Sequence, residues 1–297
     1  MNPDETPRII AIIQARQASS RLPGKVLLDI AGLPMLGHVI RRTQRARTVS
    51  QVLVATSDDP TDDPIAEYCR QAGVLCTRGS QYDVLDRYYQ AALQAEAQVV
   101  VRITGDCPLI DPGLIDRTVL YFLGQLGTPP PAPAGSPYPW DFAANRLPPP
   151  WGRTYPIGLD TEVCSFSALA YAWQHARQPH QREHVMPYLY EYSPVADSRR
   201  LQAYQPPDER LRRAPEQPAF RALLVNHEQD YGHLRWTVDT PEDLAMMRAL
   251  MACLPDPETS SWQQILAVYQ EHPEVAALNA AVPHKKLYDI DARGENS

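Results

Sequence analysis

The feature that most constrains the fold is an alternation, over the first half of the chain, of short apolar runs with amphipathic stretches. The apolar runs are nearly uncharged inside, as strands covered on both faces of a sheet are. The amphipathic stretches between them have helical spacing of apolar residues. The predicted strands are Ile9–Gln14, 52–56, 74–78 and Val99–Thr104, and the predicted helices are 35–47, 64–72 and 84–95. This pattern predicts an α/β fold with a parallel sheet flanked by helices.

The second half is less regular. Asp111 and Pro112 resemble a helix start, and the helix should run to about residue 126. Segment 128–150 is crowded with proline, which makes up 30 of the 297 residues of the chain, and we expect an exposed insertion there. Further strands are predicted at 159–166, 221–226 and 235–239, and helices at 167–176, at 183–192 and from Pro241 onward. We expect residues 1–297 to form a single domain.

Composition narrows the function classes. The net charge of −7 and the lack of a long Lys/Arg run argue against a nucleic-acid-coating protein. No apolar run approaches the roughly 20 residues of a membrane-spanning helix, and MNPDETPR has the wrong polarity for a signal peptide, so we expect a cytoplasmic protein without membrane insertion. The five scattered cysteines favour reduced, structural thiols. Cys107 alone lies in the suspected site, and no neighbouring His marks it as a nucleophile.

The loop after the first predicted strand has the chemistry of a triphosphate cradle. Ligands of open α/β sheets bind beyond the carboxyl ends of strands, where this loop must lie. Small residues permit close backbone approach, and Arg16, Arg21 and Lys25 supply three cations for phosphate oxygens. The loop has neither the Walker nor the dinucleotide-binding spacing. The alternative interpretation is a solvated, mildly basic turn.

Two carboxylates are predicted at the same sheet edge. Asp106 ends the run VVVRITGD, and Asp239 ends LRWTVD. A triphosphate bound at this edge would need a cation to neutralise its charge, and magnesium prefers oxygen ligands, so both residues are candidate Mg²⁺ ligands. The alternatives are a turn-forming aspartate for Asp106 and a helix N-cap for Asp239.

The run R-x-x-S-S-R-L-P-G-K resembles the signature loop of the cytidylyltransferases that make CMP-activated sugars, especially the SpsF-like branch of spore coat polysaccharide biosynthesis, related to the CMP-Kdo and acylneuraminate enzymes. Further blocks resemble that family in order: ATSDDPTDDPIAEYC, RGSQYDVLDRYYQAA, VVVRITGDCPLIDP, YPIGLDTEV, REHVMPYLYE and LRWTVDTPEDL. The resemblance implies a Rossmann-like nucleotide-diphospho-sugar transferase sheet, a small inserted dimerisation or acceptor element at about 159–225, a homodimer, Mg²⁺ dependence and CTP as donor.

The predicted site residues rest on the chemistry of the sequence and on the family resemblance. The catalytic cations are Arg16, Arg21 and Lys25. The predicted nucleotide-binding residues are Ala15, Arg16, Ser19, Ser20, Arg21, Gly24, Lys25, Thr56, Arg78 and Asp106, of which Thr56 and Arg78 follow the second and third strands and have ordinary turn polarity as an alternative. Asp160 and Glu162 are predicted to bind hydroxyls of the acceptor, and Arg182 or His184 its carboxylate. His184 is also a candidate base, with a bystander role as the alternative, and Arg182 has pairing across a dimer interface as its alternative.

The predicted reaction is transfer of CMP from CTP to a sugar, by family expectation a keto-acid sugar, in surface polysaccharide or glycan biosynthesis. Three alternatives stay open: a sugar-1-phosphate nucleotidyltransferase that uses another triphosphate, a glycosyltransferase, and a nucleotide-binding subunit without turnover. Segments 128–139 and 204–218 depart from the family pattern on the acceptor side and leave the acceptor undetermined.

Overall fold

The computed structural model describes residues 6–206 and 220–283 of the 297. Its strands are β1 Ile9–Gln14, β2 Asp29–Ile30, β3 Leu33–Pro34, β4 Gln51–Ser57, β5 Leu75–Gly79, β6 Val99–Thr104, β7 Phe142–Ala144, β8 Glu162–Ser165, β9 Val195–Asp197 and β10 Ala222–Leu224. Its helices are α1 Met35–Gln44, α2 Asp63–Ala72, α3 Val84–Gln94, α4 Pro112–Phe122, α5 Phe166–His175, α6 Pro179–His184, α7 Pro187–Tyr190, α8 Pro241–Cys253, α9 Trp262–Glu271 and α10 Pro273–Ala277.

Eight of these strands form one sheet in the order β5-β4-β1-β6-β8-β7-β10-β9. Strand β1 pairs in parallel with β4 and β6, and β5 pairs in parallel with β4. Strand β8 runs antiparallel to both its neighbours, whereas β7, β10 and β9 are parallel to one another. The sheet is therefore mixed but mostly parallel, and the predicted α/β class is confirmed.

The core lies on both faces of this sheet. Alternate residues of β1 enter different apolar clusters, Ile9 and Ile13 one of them and Ile10 and Ile12 the other. All four side chains are at most 1% exposed. A strand that supplies two cores must be apolar throughout, which explains why its sequence shows no alternation. Helices cover each face, and the carboxyl ends of β1 and β6 reach the same edge of the sheet.

The first-half predictions hold with two corrections. Strand β5 lies at the edge of the sheet and exposes 56% of Leu75, so the expected burial on both faces is wrong there. Helices α1 and α4 end at Gln44 and Phe122, a few residues before the predicted ends. The chain turns soon after α4 at Gly124, whose φ of 74° belongs to the left-handed region. The predicted helix start is confirmed, because Asp111 accepts a bond of 2.7 Å from the Leu114 amide.

The second half needs larger corrections. Segment 128–150 is not exposed throughout, because Trp140 is buried and Phe142–Ala144 is a strand of the sheet that pairs with β8 and β10. The predicted strand 159–166 is shortened to β8. The predicted helix 183–192 is interrupted at Val185, whose φ is 71°. The predicted strand 235–239 is an extended segment that makes a single bridge, from Arg235 to Ile157.

The described residues test two further predictions only in part. Most of the divergent segment 204–218 lies outside the described residues. Segment 159–225 contributes β8, β9 and β10 to the central sheet, and its role in dimerisation stays a prediction.

Among the helices of the described residues, none combines the length and apolar character needed to cross a membrane.

Candidate active site

A cleft of about 1120 Å³ opens beyond the carboxyl ends of β1 and β6. The loop after β1, the turn after β6 and the segment that leads into α8 line it. Eleven of the predicted site residues line this cleft: Ala15, Arg16, Ser19, Ser20, Arg21, Lys25, Asp106, Asp160, Glu162, His184 and Asp239. The sheet edge named from sequence is thus where the charged residues converge.

The loop after β1 is folded by a turn that places Lys25 inward. The Gly24 amide donates to the Gln17 carbonyl over 3.0 Å, and Gly24 has a φ of 71°. That left-handed conformation favours glycine, so we assign Gly24 to the turn. Gly24 itself does not line the cleft. Lys25 starts the short 3-10 helix Lys25–Leu27 and is 8% exposed.

The Lys25 ammonium joins the two predicted metal ligands. Its Nζ donates to Asp106 Oδ2 and to Asp239 Oδ1, both over 2.8 Å, and to the Val238 carbonyl over 2.9 Å. The Val238 amide in turn donates to the Asp106 carbonyl over 2.9 Å, which fixes the two acidic segments side by side. The three residues come from distant parts of the sequence, so this cluster exists only in the folded chain.

The electrostatics of the cluster favour the charged forms of Lys25 and Asp239. Burial lowers the pKa of Lys25, but the facing carboxylates of Asp106 and Asp239 outweigh it and hold the pKa above its ordinary value. Burial raises the pKa of Asp239, yet Lys25, Arg21 and Arg235 together hold that pKa well below its ordinary value. Arg21 and Arg235 each lie 2.9 Å from an Asp239 oxygen. Asp239 is therefore an anion at neutral pH.

A buried support lies beneath Asp239. Arg235 donates to both carboxylate oxygens of Asp243, over 2.8 and 2.7 Å, and Asn279 donates to Asp243 over 2.9 Å. Asp243 also closes a capping box with Thr240 at the start of α8. The alternative N-cap role considered for Asp239 thus belongs to Thr240, which leaves the Asp239 carboxylate facing the cleft.

The acidic pair fits a divalent cation. Asp106 and Asp239 already share one cationic partner, and both carboxylates line the cleft where phosphates would enter. Within residues 6–206 and 220–283, no group of three or more His, Cys, Asp or Glu side chains is arranged to hold a metal ion. Mg²⁺ is commonly held by one or two carboxylates together with water and substrate phosphates. The donor set therefore suits a cation that arrives with a nucleotide.

The opposite side of the cleft carries a second charged group. Asp160 lies 2.6 Å from Arg153 Nη1 and 3.7 Å from Arg146 Nε. An antiparallel backbone bridge joins residues 146 and 153, so both guanidinium groups are placed by one loop. Burial lowers the pKa of Arg153, with Asp160 opposing that shift. Two arginines against one aspartate leave an excess positive charge facing the cleft.

Glu162, the second acid predicted to bind the acceptor, is already paired with an arginine. Glu162 is buried and pairs across the β6–β8 register with Arg102, which also donates to the Gln14 side chain over 3.1 Å. Burial lowers the pKa of Arg102, but Glu162 raises it above its ordinary value. Glu162 therefore lines the cleft as one half of an ion pair with Arg102.

Glu183 also lines the cleft, next to His184, and lies 3.9 Å from Arg16.

Besides Gly24, three predicted residues do not line the cleft. Thr56 is fully buried. Arg78 donates to the Ser57 and Asp59 carbonyls over 2.9 and 3.0 Å and pairs with Asp63, so it holds the loop after β4. Arg182 pairs with Asp83 at the start of α3 and donates to the Trp173 carbonyl over 2.8 Å. Their contact with a substrate stays a prediction.

Cys107 lines the cleft beside Asp106 but is 3% exposed. Burial, with a further contribution from Asp106, raises the pKa of its thiol well above the ordinary value. Only the thiolate is an effective nucleophile, so the protonated thiol agrees with a structural role.

Sequence reasoning missed several cleft residues. Arg146, Arg153 and Arg235 were not named, although all three carry charge near predicted blocks. Arg153 lies two residues before the YPIGLDTEV block, and Arg235 is the second residue of LRWTVD. Arg87, on α3, was also missed. The sequence signal that could have identified them is the presence of an arginine within or next to one of the runs that resemble the family.

Much of the chain is similar to known proteins. The sequence model of the family described as "Cytidylyltransferase" matches residues 10–217. An uncharacterised protein of Methanocaldococcus jannaschii is 31% identical over 96% of this chain and 99% of the relative. The spore coat polysaccharide biosynthesis protein SpsF of Bacillus subtilis is 28% identical over 90% of this chain and 96% of its own. A 3-deoxy-manno-octulosonate cytidylyltransferase of Geobacter sulfurreducens is 47% identical over 37% of this chain and 44% of its own.

The fold has a counterpart among solved structures. A cytidylyltransferase from Leptospira borgpetersenii superposes with a TM-score of 0.74 at 28% identity, over 94% of this chain and all of the other. The mostly parallel sheet with its flanking helices is therefore the fold of a known nucleotidyltransferase, as expected from the sequence.

Proposed function

The chain belongs to the cytidylyltransferase family, and on that premise we propose that it transfers CMP from CTP to an acidic sugar and releases pyrophosphate. The family membership makes it a nucleotidyltransferase. The observation that supports the proposed chemistry is the contact of Lys25 with both Asp106 and Asp239 at the mouth of a cationic loop. That cluster gathers, at one sheet edge, the charges that a triphosphate and its metal ion require.

In the proposed reaction an acceptor hydroxyl oxygen attacks the α-phosphorus of CTP. A new P–O bond forms to the sugar, and the bond from the α-phosphorus to the oxygen that bridges the α- and β-phosphates breaks, so that pyrophosphate leaves. The proton of the attacking hydroxyl is released to solvent. Arg16, Arg21 and Lys25 hold the phosphate oxygens and neutralise the leaving group. Asp239 keeps Arg21 oriented toward the cleft, because the two side chains lie 2.9 Å apart.

Magnesium is the proposed cofactor, and Asp106 and Asp239 are the residues that would hold it. When bound, the ion supplies charge neutralisation at the phosphates and lowers the pKa of the attacking hydroxyl. Lys25 stands between the same two carboxylates in this structure. We propose that Lys25 turns toward the phosphates when the cation binds, so that the carboxylates are never left without a positive partner.

The acceptor side supports an anionic sugar. Arg146 and Arg153 surround the single carboxylate of Asp160, which leaves a surplus positive charge in the cleft. Arginine suits planar carboxylates because it can donate two parallel hydrogen bonds. The Geobacter relative is named for a keto-acid sugar, although the likeness covers only 37% of this chain. We propose that these arginines bind the acceptor carboxylate, with Asp160 and His184 near the sugar hydroxyls.

The setting is proposed by analogy. The Bacillus relative is named for spore coat polysaccharide biosynthesis, and we propose a role in a surface polysaccharide or other glycan pathway. We also propose a homodimer in the cytoplasm.

A pyrophosphate-release assay tests the function. CTP, UTP, GTP and ATP are supplied separately with Mg²⁺ and a panel of keto-acid sugars, neutral sugars and sugar 1-phosphates. We expect release with CTP and an acidic sugar. Release with another triphosphate and a sugar 1-phosphate would instead identify the protein as a sugar-1-phosphate nucleotidyltransferase.

Two further outcomes identify the remaining alternatives. CTP binding measured by calorimetry without any turnover would indicate a non-catalytic subunit. Turnover of a preformed nucleotide-sugar without pyrophosphate would indicate a glycosyltransferase.

A further inference from the structure

Arg87 is a buried cation without a protein partner. It lies in the first turns of α3, lines the cleft and is 3% exposed. Its Nε and Nη1 groups are buried and have no hydrogen-bond partner in the structure. Buried guanidinium groups are normally paired, because an unpaired buried charge is costly. A ligand that accepts hydrogen bonds would remove this cost.

The acids near Arg87 are engaged elsewhere. Asp83 pairs with Arg182, and Asp86 accepts from the Trp173 indole over 2.8 Å. Asp62 accepts from the Gln17 amide over 2.7 Å and from Ser57. The charges that act on Arg87 at longer range are the repulsive Arg16 and the attractive Asp62 and Asp58, and burial lowers its pKa below the ordinary value.

The position of Arg87 indicates which part of a substrate it meets. Its side chain packs on Gly79, the last residue of β5, where an added Cβ would lie 3.1 Å from Arg87 Cγ. Strand β5 is three strand spacings from β6, which carries the Asp106 turn, and this corresponds to about 14 Å. The acceptor arginines lie on the other side of β6, near β8. The residues proposed to hold the phosphates lie between these two sides, so the β5 side is left for the nucleoside.

We propose that Arg87 reads the base of the donor nucleotide, donating hydrogen bonds to the adjacent acceptor atoms N3 and O2 of a cytosine ring. This proposal rests on the proposed use of CTP. A guanidinium carries five N–H donors in a fixed plane and no acceptor, so it matches a ring edge with two neighbouring acceptors. Uracil presents an N3–H donor at the same place, and the two donors would face each other.

The size of the expected discrimination follows from that mismatch. A site built around hydrogen bonds rejects an analogue that leaves its buried polar groups unpaired. Val84 lines the cleft next to Arg87 and offers the apolar surface against which a base packs. Loss of one hydrogen bond to a charged group corresponds to about tenfold to hundredfold in affinity.

The test uses the full chain and calorimetry with CMP, UMP and inorganic pyrophosphate as separate ligands. Arg87→Met and Arg87→Lys are compared with Arg70→Met, a control arginine whose side chain is 73% exposed and pairs with Glu67 on α2. We expect Arg87→Met to weaken CMP binding about tenfold to hundredfold and to bring the CMP and UMP affinities together. Pyrophosphate binding should stay within about twofold, and the control should match the wild type.

Other results would overturn the assignment. Equal weakening of CMP and pyrophosphate would make Arg87 a phosphate ligand, and unchanged CMP binding would make its burial purely structural. If Arg87→Met does not fold, Arg87→Lys decides by the same criteria, since it keeps the charge and loses the planar fork. These binding measurements do not depend on turnover. If the wild type binds CMP but releases no pyrophosphate from CTP, the proposed reaction is refuted, and the binding data still decide whether Arg87 recognises the base.

Discussion

The proposed donor side and the proposed acceptor side of the cleft are built differently. On the donor side, Lys25, Asp106 and Asp239 are locked to one another by bonds of 2.8 Å and supported from below by the buried Arg235–Asp243 pair. On the acceptor side, Asp160 is shared unequally between Arg153 at 2.6 Å and Arg146 at 3.7 Å. Within the cluster of Lys25, Asp106 and Asp239, each charge lies beside a charge of opposite sign. Asp160, by contrast, faces two arginines, which leaves a surplus positive charge.

That difference suggests a division of tasks. The triphosphate and the proposed metal ion do not change from one acceptor to another, so a fixed network can serve them. The acceptor differs between enzymes, and a loop that carries two arginines can be altered without disturbing the sheet. Catalysis should therefore depend most on donor-side residues, and acceptor selection on the loop containing residues 146–153.

The largest effect is expected for Asp106→Asn. The change removes a charge that touches Lys25 and is proposed to hold magnesium, and several kcal/mol of charge stabilisation are at stake. We expect kcat to fall on the order of a thousandfold in the pyrophosphate-release assay. The melting temperature serves as the control and should change little, because Lys25 keeps its bond to Asp239. A variant with nearly normal kcat would show that the donor network does not carry the chemistry.

A smaller, selective effect is expected for Arg153→Met. The variant loses a cation beside Asp160, so the KM for an acidic acceptor should rise about tenfold to hundredfold while the KM for CTP stays within about twofold. Arg199→Met is a matched control, since Arg199 also pairs with an aspartate, Asp197, in the second half of the chain. Equal changes in both KM values would contradict the separation of the two sides.

A stability effect is expected for Asp243→Asn, which breaks the buried pair with Arg235. Removing one member of such a pair should lower the free energy of unfolding by about 3 kcal/mol at pH 7. Burial raises the pKa of Asp243, but Arg235 and Asn279 hold it below 3.8, so its stabilisation is present above that pH and is lost as the pH falls through the folded-state value.

Urea denaturation of wild type and variant at several pH values measures this effect. The difference between the two proteins should be constant from pH 7 to about 5 and should shrink below about pH 4. A difference that instead changed near pH 6 or 7 would mean that another group controls the support beneath Asp239.

The smallest effect is expected for Cys107→Ala. The thiol lies in the cleft, but burial raises its pKa well above the ordinary value, so it stays protonated and is not a nucleophile. We expect kcat within about twofold of the wild type, with iodoacetamide as a second probe of reactivity. Loss of turnover in the variant without a drop in melting temperature would assign chemistry to a residue that we consider structural.

Much of the donor side could be predicted because its residues sit at the ends of strongly patterned strands. Asp106 follows an apolar run, and a parallel sheet brings the carboxyl ends of such runs to one edge. Arg78 follows a strand in the same way, yet it turns to nearby backbone carbonyls instead of the cleft. Pattern fixes where a residue lies in the sheet, but the direction of a long side chain depends on which partners happen to be close.

The second half was harder to predict for a related reason. Its strands are three or four residues long, too short for a periodic signal, and prolines flank the strand Phe142–Ala144. That strand forms because β8 and β10 offer it partners on both sides, which no local pattern reveals.

By itself, the sequence determined the α/β class and the position of the cationic loop and of the two acidic residues at one sheet edge, because each is encoded in a contiguous run of residues. Only the tertiary structure decided that Lys25 joins Asp106 to Asp239, that Arg146 and Arg153 share Asp160, and that Arg87 is buried without a partner. These are relations between distant segments, and charge pairing in a cleft depends on distances that are set by packing and not by spacing along the chain.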